Sequence, residues 1–110
     1  MIFSKQGNTN VVTQETVSLI EFVKKLNESY PKLKSDNLIL NLFSLKDFTA
    51  DDLLEFLTLS NQHRANGRSF VIVTDKVGVD DVPDELMVVP SLQEAHDVIE
   101  MEEIERDLDF

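Results

Sequence analysis

The chain contains no cysteine, so thiol catalysis, thiolate zinc sites and structural disulfides are all excluded, and a reducing compartment is the natural setting. Nor does it need a staple. At 110 residues one domain, 1–110, buries about two-thirds of the surface its unfolded chain would expose. Glycine is scarce: Gly7, Gly67 and Gly78 stand apart from one another, so there is no glycine loop to cradle a phosphate. Histidine is limited to His63 and His96, with no neighbouring nucleophile, acid or orienting group at a recognisable spacing. No stretch approaches the roughly eighteen apolar residues of a membrane span, and the opening MIFSKQGNTN lacks the basic start and apolar core of a secretion signal. These absences predict a soluble, cytoplasmic protein with no catalytic constellation, no cofactor, no metal and no membrane partner.

Positive charge is also missing from one region. Residues 1–74 hold eight acidic and eight basic residues, whereas Asp75 to Phe110 holds thirteen acidic residues against Lys76 and Arg106 alone, so the last third carries the whole net charge of −11. Such a surface repels phosphate backbones and anionic membranes. Nucleic acid is not an expected partner.

The chain otherwise reads as alternating strands and helices. Ile2–Lys5 and Val11–Gln14 favour β structure around a Gly7–Asn10 turn, which predicts a hairpin. Leu19, Phe22 or Val23, Leu26, Tyr30 and Leu33 recur at helical spacing behind a Ser18–Glu21 capping box, and Pro31 predicts a stop or kink near Tyr30. Leu38–Phe43 and Phe70–Thr74 are nearly continuously apolar, as central strands covered on both faces are. Between them Leu53, Leu54, Phe56, Leu57 and Ser60 trace a helical face that ends at Asn66-Gly67, and this strand-helix-strand unit predicts a parallel crossover. Leu86–Val89 reads as a last short strand. Ser91 and Glu94 open a final helix whose apolar stripe drifts from Leu92, Ala95 and Ile99 to Met101, Ile104 and Leu108. The expected fold is α/β: a four- to five-stranded, mostly parallel sheet with an antiparallel N-terminal edge and three main helices.

This order of elements, with Leu40-Asn41-Leu42 closing the central strand and Thr49-Ala50-Asp51-Asp52 opening the next helix, resembles the STAS domain of bacterial anti-sigma-factor antagonists. The likeness lies mainly in Asn37 to Thr74. It implies a regulatory, protein-binding fold whose helix-opening turn carries a phosphorylated serine. Here Ala50 stands at that acceptor position, Asp52 at the glycine that follows, and Asn41 at the strand's aspartate, so the resemblance implies the fold without the phosphoserine switch. The acidic Val79–Glu85 connection stands where the family has its third helix. The ending Ile99–Leu108 is also similar to that of small bacterial STAS-like proteins labelled ribonuclease Z. That likeness implies association with such an enzyme, since the activity itself needs a histidine and carboxylate cluster holding two metals.

Two stretches are the candidate functional residues. In FTADDLL, Thr49 is expected to cap the helix with Asp51 and Asp52 favoured by its exposed amides and dipole; alternatively the two aspartates mimic the missing phosphate in a partner-binding state. Glu100–Asp109 places acids at a helix C-terminus, where dipole and mutual repulsion disfavour them. Together with Met101, Ile104, Leu108 and Phe110 they form either a docking segment for a partner with a basic groove or a frayed end. Asp80, Asp81, Asp84 and Glu85 do not follow the spacing of a calcium loop and read as solvated charge. A non-catalytic, protein-binding role is expected; the alternatives are an accessory protein of a ribonuclease Z-type enzyme, a small enzyme, or a small-ligand binder.

Overall fold

A computed structural model describes residues 1–14, 18–45 and 48–108. Its five strands are β1 (Ile2–Gln6), β2 (Thr9–Thr13), β3 (Asn37–Asn41), β4 (Phe70–Val73) and β5 (Met87–Val89), and its three α-helices are α1 (Leu19–Leu33), α2 (Leu57–Ala65) and α3 (Leu92–Leu108). A 3-10 helix, Asp51–Phe56, runs into α2, and a second 3-10 turn, Val79–Asp81, precedes β5. The strands lie side by side in the order β1-β2-β3-β4-β5. β1 is antiparallel to β2, and every later pairing is parallel. The protein is therefore α/β with a mostly parallel five-stranded sheet, an antiparallel N-terminal edge and three helices, as the sequence predicts. Among the described residues no helix is long and apolar enough to cross a membrane.

Alternation along the strands divides the sheet into two unequal faces. One presents Val12, Leu38, Leu40, Phe70, Ile72 and Val88 to α1, the first 3-10 helix and the start of α2, where Phe22 and Phe56 meet edge to face at 6.1 Å. The other presents Val11, Ile39, Val71 and Val73, packed with Ala95 and Ile99 of α3. The large core thus has several layers of cover, and the small one rests on α3.

Local chemistry fixes the element ends. Gly7, at φ +64°, supplies the left-handed first position of the two-residue hairpin loop between β1 and β2. At the end of α2 the Gly67 N–H donates to the Arg64 carbonyl (2.9 Å) and the Arg68 N–H to the His63 carbonyl (3.3 Å), the paired bonds of a Schellman stop, with Gly67 at φ +79°. The Ser18 hydroxyl accepts from the Glu21 N–H at 3.3 Å to start α1, and the Ser91 hydroxyl accepts from the Glu94 N–H at 3.2 Å to start α3.

Pro31 does not end α1. The helix runs to Leu33, and the Lys34 N–H donates to the Tyr30 carbonyl at 2.9 Å. A helix-interior proline costs about 3 kcal/mol, but Pro31 falls in the last turn, and the buried side chains of Tyr30 and Leu33 on either side of it hold that turn against the core.

Candidate functional site

The turn FTADDLL follows β3, at the carboxyl end of the parallel strands, where open α/β sheets present their crevices. Its cap is not the one expected. The Asp52 carboxylate accepts from the Thr49 backbone N–H at 2.8 Å, while Ala50, at the head of the 3-10 helix, makes no side-chain capping bond. The turn is closed from its third residue backwards, half of a capping box. Because this segment winds with three residues per turn, Leu53 and Phe56 align and are buried, whereas Leu54, expected on the same face, is 42% exposed. Asp51 and Asp52 are both exposed. Asp52→Ala is expected to lower stability by about 0.5–2 kcal/mol and Thr49→Ala by much less, as read by urea unfolding. A larger loss for Thr49→Ala would return the cap to the threonine hydroxyl.

As far as Leu108 the acidic end is helical, not frayed. It forms the second half of α3, and polar bonds fasten it across the amino ends of β3 and β4. Glu102 accepts from the Ser69 hydroxyl through Oε1 (2.6 Å) and pairs with Arg64 through Oε2 (3.3 Å). Arg106 donates to the Ser69 hydroxyl (3.1 Å) and to Asn37 Oδ1 (3.4 Å), an oxygen that also accepts from the Ser69 backbone N–H. Nearby, Asn8 in the hairpin loop donates to Glu103 at 2.6 Å. Acids that oppose the helix dipole are thereby held by partners on other elements. Sequence spacing could not reveal those partners, because Asn37 and Ser69 read only as strand ends.

With α3 fastened along this side, the apolar residues of its second half face outward. Met101, Ile104 and Leu108, spaced three and four residues apart, are 62%, 52% and 79% exposed, while Ala95 and Ile99 fill the core. Leu92, expected on the inward stripe, is also exposed, and lines a cleft of about 310 Å³ with Phe43, Pro90 and Asn41. Phe110 lies outside the described residues.

The candidate residues therefore form two surfaces. Asp51 and Asp52 sit at the carboxyl end of the sheet on the α1 side. Met101, Ile104 and Leu108 lie on the opposite side toward the amino end, and α3 itself spans about 24 Å at 1.5 Å per residue.

His63 sits near the end of α2, where the negative end of the helix dipole would favour a charged ring, yet it is fully buried. Its Nδ1 shares a hydrogen bond with the Tyr30 hydroxyl at 2.8 Å, and its ring stands edge-on to those of Tyr30 and Phe70. Burial lowers its pKa below the ordinary histidine value; Arg68 and Arg64 push the same way, against the Asp36 carbonyl and carboxylate, which favour the charged ring. No hydrogen bond forms at its Nε2. Burial raises the pKa of Tyr30 in turn, opposed by a hydrogen bond from Asn66. A side chain so enclosed has no access to a substrate in this conformation.

Among the described residues no three histidines or carboxylates gather as metal ligands; Asp81 instead accepts from the Gly78 N–H at 3.1 Å and closes the second 3-10 turn. No protein-family model matches the chain, and no curated protein matches it.

Proposed function

We propose that this protein is a non-catalytic, protein-binding regulator of the anti-sigma-factor-antagonist kind, acting in the cytoplasm without a phosphoserine switch. The observation that supports this reading is the stripe of Met101, Ile104 and Leu108, each more than half exposed on a helix that is itself fastened to the body. Large apolar side chains in a row on a rigid element mark contact surfaces, and the surrounding acids suit a partner with a basic, apolar contact surface. The alanine at the acceptor position leaves no hydroxyl there for a kinase, so binding by this surface is constitutive.

Ile104→Asp combined with Leu108→Asp tests the reading. Both side chains are exposed, so the fold and Tm should hold. The full chain used as bait in its native cell is expected to retain a partner, identified by mass spectrometry, that the double variant loses. A partner retained equally by the variant, or none retained by the wild type, would remove the support.

A further inference from the structure

We infer that the hollow between α3 and β5 receives an apolar side chain from a basic amphipathic helix of the partner; the inference rests on the protein-binding reading above and specifies its chemistry. The hollow, about 280 Å³, is lined by Met87 of β5 and by Val98, Met101, Glu102 and Glu105 of α3. Two methionines on facing elements give a wall of flexible, polarisable side chains that adapts to an inserted group. Met101 belongs both to this hollow and to the exposed stripe, so the two make one continuous apolar surface.

Charge selects the occupant. Glu102 is committed to Ser69 and Arg64, whereas Glu105 is exposed and has no ion pair among the described residues. Glu100 and Asp107 are exposed on the same helix. A second copy presenting this same face would bring its own acids against these, which disfavours a symmetric pairing of the two α3 helices. A helix carrying lysine or arginine beside its apolar residues meets both demands.

The edge of β5 excludes the other common mode, strand addition. The Val89 carbonyl accepts from the Thr74 N–H at 3.0 Å, so Val89 and Met87 turn their amides toward β4 and Val88 alone turns its amide outward. Pro90 has no N–H to continue a ladder, and the Leu86 N–H is taken by the Pro83 carbonyl at 3.0 Å. Recognition here runs through side chains, as it does for a helix in a groove.

The probe is a labelled amphipathic peptide of leucine and lysine, with leucines at i, i+3, i+4 and i+7. A scrambled peptide of the same composition and a leucine-glutamate version serve as controls, and binding to the full chain is read by fluorescence anisotropy. The basic amphipathic peptide should bind at least tenfold more tightly than either control, and Met101→Asp should weaken it tenfold or more. Ile20→Asp, an equal charge change at an exposed residue of α1, should leave affinity unchanged, with circular dichroism confirming both folds. Equal binding of the scrambled peptide, or equal weakening by both variants, would reduce the effect to bulk charge and overturn the inference. Loss of binding by the Ile104→Asp, Leu108→Asp variant with Met101→Asp unaffected would overturn the hollow while leaving the protein-binding reading standing.

Discussion

Removing residues 100–110 is expected to destabilise the protein by about 2–4 kcal/mol, because hydrogen bonds to charged groups contribute about 1.5–3 kcal/mol each and the cut removes both Glu102 and Arg106. For a chain of this size that lowers Tm by about 10–20 °C. The sequence offers this segment as a docking segment or a frayed end; its contacts make it the closure of one end of the sheet. Ser69 and Asn37 are fully buried beneath it, and Arg64, which also donates to the Phe70 carbonyl at 3.1 Å, keeps only that partner once Glu102 is gone. Water reaching the opened site moderates the loss, so it stays within a few kcal/mol. Glu102→Ala should reproduce roughly half of it, with α3 otherwise intact by circular dichroism. A truncated protein that melts within about 2 °C of the full chain would show that the segment has no part in the fold.

Acid is expected to weaken the fold before carboxylates begin to titrate, and His63 is the cause. Its folded pKa is lowered by burial, while the unfolded chain restores it to about 6.5. Above that pH both states are neutral at this ring and the full stability is present. As pH falls below about 6.5 the unfolded chain takes up a proton that the folded protein refuses, so stability drops, by up to about 1.4 kcal/mol per pH unit, until the folded pKa is reached. His63→Gln, neutral throughout and able to bond Tyr30, should flatten the profile between pH 7.5 and 5.5. His63→Ala should cost about 2–4 kcal/mol at pH 7.5, through the cavity left and the unpaired Tyr30 hydroxyl. Denaturant midpoints across the pH range measure both. A wild-type profile flat over that window, or a slope that survives in His63→Gln, would assign acid sensitivity to other groups.

Much of the architecture is legible in the sequence because burial leaves a periodic trace. Leu38–Leu40 and Phe70–Val73 are apolar on both sides since both faces of the sheet are covered, and Phe22, Leu26, Tyr30 and Leu33 fall on one side of a helix for the same reason. What escapes is whatever depends on contacts between distant elements. His63 reads only as a histidine near a helix end because nothing in its own neighbourhood announces Tyr30, thirty-three residues earlier. Glu102 and Arg106 read as surplus charge because their partners, Asn37 and Ser69, come from strand ends far upstream. Leu54 is misplaced through period alone: a helix of 3.6 residues per turn would bury it, and one of three does not. Of the candidate site, the outward stripe was present in the spacing of Met101, Ile104 and Leu108. The Met87 wall of the hollow beside it lies on another element and left no local signal.

The order of strands across the sheet is also their order along the chain, so each new strand has only to find the one made just before it. During synthesis the sheet can grow from β1 to β5 as the chain emerges, closing first a tight hairpin and then one crossover for each parallel strand. The face that carries Val11, Ile39, Val71 and Val73 is different. It acquires strand after strand but no cover until Leu92–Ile99, which comes after the last strand of the sheet. A nascent chain therefore carries a widening wet apolar surface from β2 onward, until α3 emerges behind β5 and seals it. That makes α3 the step on which escape from aggregation depends.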